Sequence, residues 1–223
     1  MELHFFPGEN LLILKIGERF SRYSAMGGPS GVIPTGGMEL QPTWPGKYII
    51  DRTETYRTPT WPMSKIKWGT ELQDKGAKAD DVWYKLPSGQ WGSVKKDVRD
   101  FKGRGITRAQ IIGEYKRLYK RNVVPKKWVF NDFGPFAIRW FRDLNDNKIL
   151  DGSERLSGQM FHTTPDNEAQ KVRGDKVKLV ASHGCIHLKP SERDTLRRIG
   201  AFKPGTAFTV HKSHERFGGG KGL

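Results

Sequence analysis

Ser182-His183-Gly184-Cys185-Ile186-His187 holds the only cysteine of this 223-residue chain, set between two histidines. One thiol cannot close a disulfide within the chain, and a core filler is more often flanked by apolar residues, so reactivity is the leading reading. The thiolate is the nucleophile, and a nearby imidazolium or a cluster of backbone N–H groups raises its population. Gly184 allows a tight backbone approach, so the N–H groups of residues 184 and 185 can point at a developing oxyanion. A nucleophile also needs a base within hydrogen-bond reach. His183 is adjacent, but neighbouring side chains on extended backbone point to opposite faces. His162, in Gln159-Met160-Phe161-His162-Thr163-Thr164-Pro165, is the better candidate. That segment reads as an apolar strand end running into a turn. Two rival readings are an inert buried thiol with surface histidines, and a metal site. For the metal, His183, Cys185 and His187 alternate, and a strand would show all three on one face. Zinc sites usually draw ligand pairs from more than one segment, however, and only His162 offers a fourth ligand. Neither a metal nor a cofactor is expected.

Outward from this motif the chain reads as mainly β. Leu3 to Phe6, Leu11 to Ile16, Lys47 to Ile50, Trp128 to Phe130, Phe136 to Phe141, Lys178 to Ala181 and Ala207 to Val210 are short apolar runs bounded by turn signals. Gly27-Gly28-Pro29 through Gly36-Gly37 reads as loop. Thr107 is an N-cap candidate for a helix carrying Ile111, Ile112, Tyr115, Leu118 and Tyr119 at helical spacing, ended by Pro125. Ser191 with Asp194 suggests a capping box for a short helix through Ile199, with Gly200 just past its end. Residues 216–223 read as a Gly-rich mobile tail.

The charge is localised. The chain carries 39 Lys/Arg against 24 Asp/Glu, a net +15, and residues 60–127 alone hold 17 basic and 7 acidic residues. The same stretch has four of the seven tryptophans: Trp61, Trp68, Trp83 and Trp91. We read 60–127 as a basic, partly helical insertion or cap on a β scaffold, its tryptophans packing a satellite core under a solvated basic face. Such a field favours anionic partners, whether nucleic acid, acidic lipid or an anionic cell-wall polymer, and its sign alone does not choose among them. No run approaches the roughly 20 apolar residues of a membrane span, and no secretory signal is visible.

Ser-His-Gly-Cys followed by an aliphatic residue, with an upstream histidine on a separate strand, resembles the L,D-transpeptidase catalytic domain of the YkuD type. Pro42-Thr43-Trp44-Pro45-Gly46-Lys47-Tyr48 and Pro204-Gly205-Thr206-Ala207-Phe208-Thr209-Val210 are similar to segments of that family. The resemblance implies a β-sandwich with short helices, a single catalytic domain over residues 1–215. It implies Cys185 as the acylated nucleophile, His162 as its base, the carbonyl of Thr163 orienting that imidazole, and His183 in support. The N–H groups of Gly184 and Cys185 would bind the oxyanion, and Ser182 and His187 would face substrate. The implied partner is the peptide stem of peptidoglycan, met by a monomer in the periplasm or cell wall. Transpeptidation, L,D-carboxypeptidation and D-amino-acid exchange share this chemistry. A secreted antibacterial effector using it, delivered by a specialised route, is an alternative. So is a non-enzymatic protein that binds anionic polymers. The chain departs from the family at His187, where Arg or Asn is usual, and at Thr163, where Gly is frequent. A third departure is the interval of 20 positions from His162 to Ser182, a few longer than usual.

A separate stretch, Asp143-Leu144-Asn145-Asp146-Asn147-Lys148-Ile149-Leu150-Asp151-Gly152-Ser153-Glu154, places oxygen side chains at positions 1, 3, 5, 9 and 12 of a calcium-loop template. Lys148 stands at position 6, where the template wants Gly. A polar hairpin loop between strands is therefore the expectation.

Overall fold

Residues 1–35 and 39–218 are described by the computed structural model. Gly36 and Gly37 of the expected loop, and residues 219–223 of the expected tail, lie outside them. Contacts divide the chain into one unit of residues 1–54, 137–162 and 177–223, and a second of 55–136 and 163–176.

In chain order the strands are β1 (Glu2–Phe6), β2 (Leu11–Ile16), β3 (Arg19–Met26), β4 (Gly46–Glu54), β5 (Leu72–Asp74), β6 (Val82–Lys85), β7 (Trp91–Ser93), β8 (Ala137–Phe141), β9 (Leu156–His162), β10 (Ile186–Leu188) and β11 (Ala207–Val210). The helices are α1 (Gly76–Ala79), α2 (Val94–Asp97), α3 (Arg108–Tyr119), α4 (Pro165–Arg173) and α5 (Pro190–Arg198).

The class is mainly β with short helices, as expected. In the first unit the strands close into one eight-stranded barrel, ordered β1-β11-β4-β8-β9-β10-β3-β2, rather than facing each other as two sheets. Closure leaves no strand edge unpaired. Alternation along each strand sends one row inward. Phe161 of β9, Trp140 of β8 and Phe208 of β11 meet there, with ring centroids 5.0 Å apart for Trp140 and Phe161 and 4.7 Å for Phe161 and Phe208. Leu3, Leu12, Leu14, Ile50 and Ile186 are fully buried beside them.

The second unit carries the three-stranded sheet β5-β6-β7 and its own core, made by Ile66, Leu72, Val82, Val94, Val98, Ile106, Ile111, Leu118, Trp128, Phe130 and Ala169. Of the four tryptophans expected in that core, none is fully buried. Lys75 Nζ lies 3.8 Å from the Trp83 ring centroid and Lys85 Nζ 5.7 Å from that of Trp91. These rings cover the rim as cation–π partners. Helix α3 starts as expected, with a reciprocal capping box between Thr107 and Gln110. It ends at Lys120, which takes a left-handed φ of 60°, before Pro125 is reached.

Several local expectations change. Trp128 to Phe130 forms no strand. Trp128 is instead a core anchor whose indole N–H donates to the Met63 carbonyl at 2.9 Å. Lys178 to Ala181 is also irregular, with Val180 exposed. Helix α5 begins at Pro190 with Lys189 as N-cap and no side-chain cap, so Ser191 and Asp194 form no capping box. Proline at N1, with its preset φ, supplies the start. In the expected tail, the Phe217 N–H donates to Glu9 at 2.7 Å and its ring packs edge-on against Phe20.

Candidate active site

The parallel ladder between β9 and β10 positions the site. Ile186 pairs with Phe161 and His187 with His162. Phe161 and Ile186 point into the barrel core, so alternation places His162 and His187 together on the other face. Both are buried, and their rings meet edge to face with centroids 4.7 Å apart. Cys185 immediately precedes β10, two residues before His187. Its thiol interacts with the backbone of Met160, two residues before His162. The cysteine turn thus leads directly into the strand whose His187 pairs with His162.

Cys185 is half-buried as a residue, but its thiol is buried and is pushed up to about 11 by desolvation, which the Met160 backbone contact and the Arg139 charge only partly offset. Arg139 belongs to the same row, paired with Met160 across β8 and β9. His187 is pushed below its ordinary value, first by burial and also by the charge of nearby His183. Its Nδ1 lies 2.9 Å from the Val180 carbonyl, so the neutral ring carries its proton on Nδ1 and donates it there. The irregular Lys178 to Ala181 segment has this positional use.

The turn before Cys185 is tied from several sides. Ser182 is buried; its hydroxyl donates to the Cys185 carbonyl at 2.5 Å and accepts from the Gly184 N–H at 2.9 Å. The Ser182 N–H donates to the Gly27 carbonyl at 3.1 Å. The expected exposure of the Gly184 N–H to an oxyanion is therefore not met, because the serine hydroxyl two residues upstream takes that proton. Ser182, expected to face substrate, spends its hydroxyl inside the turn. Gly184 has a φ of 109°, and a Cβ there would run into the Gln159 side-chain amide. Gln159, a residue the sequence reading left unassigned, is buried at the start of the His162 segment. Its Nε2 donates to the Pro42 carbonyl at 2.8 Å and its Oε1 accepts from the Trp44 N–H at 3.0 Å. It fastens the Pro42–Trp44 segment beside the cysteine turn.

His183 lies in that turn, before β10 starts, and is exposed. It does not share the buried face of His187, which undoes the one-face geometry of a His183, Cys185 and His187 metal site. Among the described residues, no group of three or more His, Cys, Asp or Glu side chains stands ready to hold a metal. Thr163 belongs to the second unit, where it is buried and its hydroxyl donates to Glu168 at 2.5 Å. Glu168 sits on α4, a helix absent from the sequence reading. Thr164 as N-cap, Pro165 at N1 and Gly174 just past the end are the signals that mark it.

Among the described residues no helix is long and apolar enough to cross a membrane. Comparison with curated proteins and with solved structures gives no match. A family model, the YkuD L,D-transpeptidase catalytic domain, matches residues 7–198. That span takes in the two strands bearing His162 and His187 and the whole cysteine turn, and the chain belongs to the YkuD family of L,D-transpeptidase catalytic domains.

Proposed function

We propose that this chain is a cysteine acyltransferase acting on peptidoglycan stem peptides, with Cys185 as nucleophile and His162 as base. The family carries L,D-transpeptidase-type peptidoglycan chemistry. The observation that supports the finer reading is the β9–β10 register, in which His187, two residues after Cys185, pairs with His162. Burial holds the free thiol protonated at neutral pH. His162 therefore takes the proton as Sγ bonds to the carbonyl carbon of the third stem residue, a diamino acid. The C–N bond to the terminal D-amino acid breaks, and its amine leaves with the proton from the His162 imidazolium. A second amine then attacks the thioester and gives up its proton to His162, and the sulfur departs and recovers it. Water in place of the amine gives carboxypeptidation; a free D-amino acid gives exchange.

His187, kept neutral by burial, places no second positive charge beside His162 as the latter becomes an imidazolium. The resemblance gives the Thr163 carbonyl the part of orienting His162 and gives His183 a supporting part. The oxyanion contact falls to the Cys185 N–H, since the Gly184 N–H is engaged by Ser182. The basic stretch 60–127 draws the protein, as a monomer, to anionic wall polymers in the periplasm or cell wall.

Purified protein incubated with tetrapeptide muropeptides tests this reading. Release of the terminal D-amino acid is expected to fall at least about 1,000-fold in Cys185→Ala, as for loss of a nucleophile that acts with its base as a unit. Undiminished release by that variant would sink the assignment.

A further inference from the structure

We propose that residues 211–217, which follow β11, form an acid-released strap on the outer face of β1–β3, held by a histidine pair that keeps one extra proton and no second. The strap is docked at both ends. At its start the His211 N–H donates to the Phe5 carbonyl at 2.9 Å, and the His211 ring stacks on Phe6 with centroids 4.0 Å apart. At its end the Phe217 N–H donates to Glu9 Oε2 at 2.7 Å. The Phe217 ring meets Phe6 and Phe20 edge-on at 5.7 and 5.3 Å, and the Arg22 guanidinium carbon lies 5.4 Å from its centroid. Alternation turns Ile13 outward between Leu12 and Leu14, yet it is only 1% exposed, so this face is covered.

Four side chains run in line from the barrel into the strap. His4 Nε2 lies 3.2 Å from Glu2 Oε2, His4 Nδ1 lies 3.2 Å from His211 Nε2, and His211 Nδ1 lies 2.7 Å from Glu215 Oε2. Ionised carboxylates only accept, so His4 Nε2 and His211 Nδ1 must each carry a hydrogen to donate. The contact between the two rings takes one hydrogen more. Three hydrogens on two rings make one imidazole and one imidazolium. The His211 contact holds Glu215 below the usual carboxylate range, which suits His211 as the charged ring.

A second extra proton has no place in the docked geometry. Both facing nitrogens would then be donors, and two cations would meet at hydrogen-bond distance. The neighbours do not relieve them. On β2, Lys15 stands opposite Glu2 in the register. Across Ile13 from His4 comes Arg22 of β3, and across Thr209 on the other side comes Lys47 of β4. The strap adds Lys212, His214 and Arg216. Glu2 and Glu215, the carboxylates in contact with the pair, are already engaged by the first proton's arrangement. Burial, joined by the charges of His211 and Lys15, holds His4 below its ordinary 6.5, although Glu2 works the other way. Once the strap leaves, His4 is hydrated and takes the second proton near that ordinary value. The released form therefore binds more protons, so docking is intact above about pH 6.5 and weakens as pH falls below it.

Amide hydrogen exchange of the full chain, read as protection factors so that the intrinsic pH dependence divides out, tests the strap. Between about pH 7.5 and 5.5, protection of the Phe217 N–H is expected to fall by about fivefold to tenfold, the limit for one proton. Barrel-strand amides are expected to lose less, because the opening is local. His4→Gln keeps a polar side chain that takes no proton, and should hold the Phe217 protection within about twofold over the same range. If that variant fails to fold, the imidazole nitrogen shifts of the unsubstituted protein decide. They are expected to show two separate protonation steps for the pair, with His4 last. Unchanged protection at Phe217, an equal fall in His4→Gln or in the barrel strands, or a single common step for both rings would overturn the proposal.

Discussion

Gly184 is the residue on which the cysteine turn depends. Its φ of 109° lies where side chains are strained, and the Gln159 amide fills the space a Cβ would need. Gly184→Ala must therefore shift either the turn or Gln159, and Gln159 is fixed by Pro42 and Trp44. A displacement on the order of 1 Å at a nucleophile lowers turnover by about 100-fold. We expect that loss in kcat/KM on tetrapeptide substrates; an unchanged kcat/KM would contradict the packing described. The cysteine motif was legible because Ser-His-Gly-Cys is rare and its residue types carry their chemistry openly. The internal use of the Gly184 N–H was not legible, because which acceptor a backbone proton finds depends on how tightly the turn closes. Gln159 was invisible for a related reason. Its partners, Pro42 and Trp44, lie more than a hundred residues away in sequence.

At the scale of elements, strands with apolar alternation showed themselves and those without it did not. β1, β2, β4, β8 and β11 lie where apolar runs predicted them. β3 was missed because Arg19, Ser21, Arg22 and Ser24 hide its pattern, and pairing with β2 and β10 decides its conformation. Trp128 to Phe130 was misread because three large apolar residues in a row suit a strand, yet equally suit an irregular segment sunk in a core. Helix α3 was readable from its cap and its periodicity. Helix α4 was overlooked because Ala169 is its only buried hydrophobic residue, so no apolar stripe announces it. The pairing of His187, two residues past Cys185, with His162 could not come from sequence. It requires knowing that β9 and β10 pair, and in which register.

For the molecule as a whole, two cores and a set of buried titratable groups set the stability profile. Burial lowers the pKa of His4 and His187, so the unfolded chain binds protons more readily than the folded one near pH 6.5. Their contribution is complete above that pH and is lost as pH falls below it. The Cys185 thiol is raised from 9.0 to about 11, and its contribution is lost as pH rises through that interval. Asp132 and Glu192, which burial raises, act against the loss on the acid side. Tm is expected to plateau between about 6.5 and 9 and to fall on both sides, with the alkaline fall reduced in Cys185→Ala. An unchanged alkaline fall in that variant would remove the buried thiol as its cause. The proposed acyl transfer needs this thiol to be the acylated group. Mass spectrometry of protein quenched during turnover of a tetrapeptide stem tests it most directly. The prediction is a hydroxylamine-sensitive adduct, the stem less its terminal D-amino acid, on the peptide containing Cys185 and absent from Cys185→Ala. Turnover with no adduct on Cys185, or with the adduct on another residue, would contradict the account.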